Sequence, residues 1–189
     1  MPFENNEENW RHRCDHGFHG NGLHGGKARE GINNKIIKLM NLKSNDIVAD
    51  FGSGDGFYSA QFAKICEKVF AIDMNAANFK NKFYDDNKIV KLNADICKNL
   101  EIPEITHAFF SNSFHDLECQ EHILDRVALS LVKQSRITMI EFKLDTSYGP
   151  PRNIRFEEKD LVKKIETHGF RKIDGIDLGG HYAVSFVKV

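Results

Sequence analysis

Short apolar runs and amphipathic stretches alternate along most of the chain. The runs lie at 46–51, 69–72, 88–92, 107–111 and 137–142, and their length and β-branched content predict buried strands. Helix-like patterns fill 57–67, 76–85 and 118–132. A further helix is predicted over 27–41, with Ile32, Ile36, Ile37, Leu39 and Met40 as its apolar stripe. Such β-α-β-α alternation predicts an α/β fold: a parallel, Rossmann-like doubly wound sheet with helices on both faces. The link 93–106 holds Pro103 and reads mostly as loop. In the tail, a helix is predicted over 157–168 and strands over 170–178 and 181–188. Only Gly179-Gly180 separates these strands, a two-residue hairpin signal that makes the last strand antiparallel to its neighbour.

Composition narrows the picture. A chain of 189 residues holds one domain, here 27–189, preceded by an arm over 1–26. With 41% hydrophobic and 28% charged residues it falls in the soluble globular class. A formal charge of -1 gives no electrostatic case for nucleic acid as a partner. No apolar run approaches the roughly 18 residues of a membrane span, and the polar, acidic stretch 1–13 does not read as a secretory signal. Cys14, Cys66, Cys97 and Cys119 form no C-x-x-C pair. The expectation is free thiols in a reducing cytoplasm.

The sharpest signal is Asp50-Phe51-Gly52-Ser53-Gly54-Asp55-Gly56, between a predicted strand and a predicted helix. Glycines there allow a sharp bend and close approach of a ligand to the main chain. A dinucleotide fingerprint would place a third glycine where Phe57 stands. The pattern is instead D-x-G-x-G-x-G, and a strand-end acid suits a cationic ligand group better than a pyrophosphate. Asp73 ends the next apolar run 21 residues after Gly52, close to the roughly 20 expected of an acid that accepts from ribose hydroxyls.

On these residues the chain resembles the class I S-adenosylmethionine-dependent methyltransferases, of the small-molecule kind similar to ubiquinone and menaquinone methyltransferases. The resemblance runs from Lys27 onward. Asp50, Gly52, Gly54 and Gly56 match the first motif. It implies a seven-stranded sheet, S-adenosyl-L-methionine as cofactor and a small-molecule methyl acceptor. The cofactor set it implies is Asp50, Gly52, Ser53, Gly54, Gly56, Asp73, Met74, Ala94, Asp95, Ile96 and Asn112. The segment 110–117 resembles the end of the family's fourth strand, and 177–183 the closing hairpin of a subset of the family.

Ligands of open α/β sheets sit beyond the carboxyl ends of the strands. That rule selects His115 and His181 as candidate bases, should the acceptor have to lose a proton. It places Tyr148, Arg152 and Tyr182 on the acceptor side, with Arg155 near Arg152. Local packing is the competing reading for the histidines, and a solvent-facing position for the arginines. The arm concentrates His12, Cys14, Asp15, His16, His19 and His24 among glycines. It reads as a lid with His16, His19 and His24 toward the acceptor, as a metal site, or as a passive leader. Two other functions compete with methylation of a small organic acceptor. Arsenite methylation would need converging thiolates, and a non-catalytic cofactor-binding module would lack an acceptor pocket.

Overall fold

The computed structural model describes residues 26–98 and 100–189. The arm, with His16, His19 and His24, lies outside the described residues, and so does Asn99.

Seven strands form one sheet in the order β3-β2-β1-β4-β5-β7-β6. They are β1 (Ile47–Phe51), β2 (Lys68–Asp73), β3 (Ile89–Asn93), β4 (Ile105–Ser111), β5 (Leu131–Phe142), β6 (Phe170–Asp177) and β7 (His181–Lys188). The first five pair in parallel. β7 runs antiparallel between β5 and β6. Both the parallel body and the closing hairpin agree with the sequence pattern.

Four α-helices cover the two faces: α1 (Gly26–Met40), α2 (Phe57–Ala63), α3 (Gln120–Ser130) and α4 (Glu158–Glu166). Alternate residues of each strand divide between them. Val48, Phe109 and Ile140 pack with Ile36 and Met40 of α1 and Phe57 and Phe62 of α2. Ala49, Phe110 and Met139 face Ile123, Leu124 and Val127 of α3 and Leu161 and Ile165 of α4. At seven residues α2 is too short to be stable by itself. Tyr58 and Phe62 anchor it edge-on to Phe109, at ring distances of 5.1 and 4.9 Å. Burial of each such ring contributes roughly 1.5–3 kcal/mol.

Three local expectations need correction. The predicted helix over 76–85 is two 3-10 turns, Ala76–Lys80 and Lys82–Tyr84. Asn75 and Asn81 each turn a side-chain oxygen onto the backbone N–H two residues on. Asn81 is extended (ψ 140°), so no helix runs through it. The predicted helix over 118–132 stops at Ser130, whose hydroxyl donates to the carbonyls of Ile102 and Arg126. β5 then begins six residues earlier than its apolar run. A bulge absorbs the excess: Ile105 faces Leu131 while His107 faces Arg136, and Gln134 has φ 70°.

The third correction concerns the thiols. Cys97, in the β3–β4 link, and Cys119, the residue before α3, form a disulfide. Cys66 is a buried free thiol whose pKa burial pushes up to about 11. The expectation of free thiols fails for this pair. No helix of the described residues is long and apolar enough to cross a membrane.

Candidate active site

The glycine loop turns at the carboxyl end of β1, and its three glycines are required for different reasons. All three have positive φ: 72° at Gly52, 56° at Gly54 and 82° at Gly56. A Cβ on Gly52 would stand 2.6 Å from the Ser113 Cβ, and one on Gly56 would stand 2.6 Å from the Tyr84 ring. A Cβ on Gly54 would meet nothing within 4 Å. Gly52 and Gly56 are thus packed against protein, and Gly54 faces open space.

Asp73 closes the loop from β2. One carboxylate oxygen accepts from Gly54 N–H at 2.8 Å; the other accepts from Asn75 N–H at 2.8 Å and the Asn78 amide at 3.1 Å. Met74 follows it, with 73% of its surface exposed. Asn93 ties β3 to this corner through the carbonyls of Asp73 and Met74. Beyond it, Asp95 accepts from Cys97 N–H and pairs with Lys98 at 3.3 Å, while Ile96 turns into the core. The sequence-predicted residues Gly52, Gly54, Asp73, Met74 and Asp95 therefore lie at one corner of the sheet, joined there by Asn93, which the sequence reading did not single out.

Asp50 is placed differently from the expectation. It is 2% exposed, and the Ser59 hydroxyl of α2 donates to its carboxylate at 2.6 Å. Burial raises its pKa to about 7. Its carboxylate ties the end of β1 to α2.

Asn112 follows the last residue of β4 with φ 53°. Its side-chain oxygen is buried with no hydrogen-bond partner. An orphaned acceptor costs roughly 1–3 kcal/mol unless something donates to it. This one lies just past the carboxyl end of β4, beside the strand that carries the glycine loop, where a donor could satisfy it. Asn112, the exposed flank of Gly54 and the Asp73 carboxylate suit the two ends of an amino-acid-bearing nucleoside.

His115 sits in a 3-10 turn just after β4 and is buried. Its Nδ1 lies 2.5 Å from the Glu141 carboxylate, whose other oxygen accepts from His115 N–H at 3.3 Å. Glu141 comes from β5 and is 1% exposed. Burial disfavours the charged imidazole, but the hydrogen bond to Glu141 and its charge outweigh it and raise the His115 pKa. Nε2 points the other way, 3.5 Å from Asp116, which is well exposed. Glu141 escaped the sequence reading because it lies inside an apolar run. An acid in a buried strand was the available signal, since such a group needs a partner.

His181 is 1% exposed, its ring tilted against Phe142 at 4.1 Å and 5.9 Å from Tyr148. Phe142 stands between the two histidines, also touching His115 edge-on at 5.9 Å. Tyr148 occupies the space a Cβ on Gly180 would need, so it covers the hairpin turn. Arg155 is likewise structural. It donates to the carbonyls of Lys143, Thr146, Tyr148 and Pro150 and so shapes the loop after β5. Arg152 is exposed and lines a cleft of about 350 Å³ with Lys143, Asp145, Phe156 and Tyr182. The Tyr182 hydroxyl is committed to the Phe156 carbonyl at 3.1 Å. The cleft lies beyond β5, on the side where an acceptor was expected.

No family model matches the chain. Among curated proteins, 70 residues are 31% identical to an rRNA adenine N-6-methyltransferase from Escherichia coli, covering 35% of this chain and 29% of that one. Another 51-residue stretch is 37% identical to a protein-L-isoaspartate O-methyltransferase from Petrotoga mobilis, covering 25% and 24%. The chain thus spans under a third of the length of these curated relatives. Solved structures match far more of it. A SAM-dependent methyltransferase from Aquifex aeolicus superimposes with TM-score 0.74 at 22% identity, over 83% of this chain and 89% of that one. The N-methyltransferase NodS from Bradyrhizobium japonicum, in complex with S-adenosyl-L-homocysteine, gives 0.72 at 10% identity over 88% and 90%. The sheet order, the antiparallel closing strand and these neighbours agree: the chain has the fold of the class I S-adenosylmethionine-dependent methyltransferases.

Proposed function

We propose that the chain binds S-adenosyl-L-methionine across the carboxyl ends of β1, β2 and β4 and methylates a small-molecule acceptor. The observation that carries this reading is the open-faced Gly54 in the loop after β1, its N–H held by the Asp73 carboxylate at the end of β2; the orphaned Asn112 oxygen, just past the neighbouring strand β4, supports it. Asp73 would accept from the ribose hydroxyls, Met74 would lie on the adenine, and Asn112 would accept from the ammonium group. When bound, the cofactor supplies an activated methyl on a sulfonium, so the protein's main task is alignment. His115 accepts the acceptor's proton at Nε2, with Glu141 holding Nδ1–H. The cleft by Arg152 and Tyr182 receives the acceptor. A near-neutral chain favours a small molecule over RNA there. Arsenite finds no support among the described residues, because Cys97 and Cys119 are joined to each other and Cys66 is buried.

Calorimetry with S-adenosyl-L-homocysteine tests the reading. The wild-type protein binds it, and Asp73→Ala weakens binding at least about tenfold, since a hydrogen bond to a charged group contributes about 1.5–3 kcal/mol. A folded Asp73→Ala variant with unchanged affinity removes the ribose role. NAD and NADP stay unbound at micromolar concentration, because Phe57 stands where their fingerprint places glycine.

A further inference from the structure

Tyr84 is an aromatic residue in a polar stretch, and its sequence surroundings give it no role. It ends the second 3-10 turn of the β2–β3 connection and is only 2% exposed. Its ring packs edge-on to Phe79 at 5.0 Å and lies directly behind Gly56. Its hydroxyl donates to the Gly54 carbonyl at 2.7 Å and pairs with the Ser53 hydroxyl at 2.9 Å. Burial raises its pKa above that of an ordinary phenol, so the donor is present throughout the neutral range.

A trans peptide is planar, so holding one atom group of it fixes the orientation of the whole unit. The peptide before Gly54 is held through its N–H by Asp73, and the peptide after it through its carbonyl by Tyr84. Gly54 is the loop glycine that faces open space, with φ 56°. Without restraint, its flanking peptides would turn freely. The Asp73 bond is the weaker restraint in use, because arriving ribose hydroxyls would compete for the same carboxylate. Tyr84 lies behind the loop and keeps its bond whether or not ligand is present.

We propose that Tyr84 is a positioning residue for the cofactor, holding the glycine loop in its ligand-ready shape through Gly54 and Ser53. The inference rests on the cofactor reading above. It also assigns the third glycine of the motif a reason: Gly56 makes room for the Tyr84 ring.

The test compares wild type with Tyr84→Phe, which keeps the ring and removes the hydroxyl. Calorimetry with S-adenosyl-L-homocysteine and amide hydrogen exchange without ligand are the two readings. Losing these two hydrogen bonds predicts affinity lower by about tenfold. Exchange at Gly54, Asp55 and Gly56 accelerates while β1 amides keep their protection. Equal affinity and equal loop exchange in the variant overturn the role of Tyr84 and leave the cofactor reading standing. If wild type itself does not bind, the cofactor reading falls and this inference falls with it. Should Tyr84→Phe fail to fold, Ser53→Ala removes one of the two hydroxyl contacts and no ring. It predicts the same changes at smaller size, and unchanged loop exchange there overturns the proposal equally.

Discussion

Three buried acids near the carboxyl end of the sheet illustrate how surroundings divide labour among like residues. Asp50 is enclosed behind the glycine loop, and burial holds its pKa near 7. Asp73 stands at the mouth with three N–H donors around its carboxylate. Glu141 is as buried as Asp50 but has an imidazole against it at 2.5 Å. The pair has a testable pH signature. Because Glu141 raises the His115 pKa, the stabilisation from the charged ring is complete below the unfolded value of about 6.5. It is lost as pH rises through the higher folded value. Glu141→Gln keeps a hydrogen-bonding oxygen and removes the charge. An NMR titration of the His115 ring should show its pKa falling in that variant, and the melting-temperature cost should be larger at low pH than at high pH. A His115 titration unmoved by Glu141→Gln would dismiss the dyad. These roles were legible in unequal degree. Asp73 announced itself by spacing and Asp50 by motif, whereas Glu141 was concealed by its apolar neighbours and Tyr84 by polar ones. Burial depends on which distant elements pack together, and that is not written in local pattern.

Among elements, the strands were the more readable. Period and length located β1 to β4 within about two residues, and the Gly-Gly turn announced the β6–β7 hairpin. The failures fell where side chains compete with the backbone. Asn75 and Asn81 capped what looked like one helix into two 3-10 turns. The start of β5 was hidden because Leu131 pairs with Ile105 across a bulge that no periodicity reports. The Cys97–Cys119 link, spanning 22 residues without a recognisable motif, was equally invisible. It joins the segment after β3 to the segment before α3, bridging the two sides of the site at Asp95 and His115. In the chain-entropy picture, closing a loop of this size stabilises the fold by about 3 kcal/mol. For a domain of this length that corresponds to roughly 6–12 °C of melting temperature. Calorimetric melting with and without a thiol reductant, or of Cys119→Ser, should show a drop in that range. Coincident melting curves would mean that the crosslink contributes nothing to the native state.

At the scale of the whole molecule, one sheet carries two apolar layers, and the described candidate site residues gather at the carboxyl ends of its parallel strands. The cofactor corner draws on β1, β2, β3 and β4 together: Gly54, Asp73, Asn93 and Asn112 come from four different strand ends. A ligand seated there would hold these ends to one another and would be lost only when the sheet comes apart. Ligand binding and global unfolding are therefore coupled, and binding to the native state alone stabilises it by mass action. At a free concentration about 100-fold above its dissociation constant, S-adenosyl-L-homocysteine should add about 2.7 kcal/mol. In a domain of this size that raises the melting temperature by roughly 5–10 °C. The transition should stay single, because no linker divides the described residues into separately packed units. Asp73→Ala should melt close to wild type without ligand and show a smaller shift at the same ligand concentration, since its dissociation constant is larger. Thermal scans of both proteins, with and without ligand, separate the two effects. A ligand shift of equal size in both would place the cofactor away from β2. Two resolved transitions, only one of them moved by ligand, would mean that the site belongs to part of the sheet rather than to the fold as a unit.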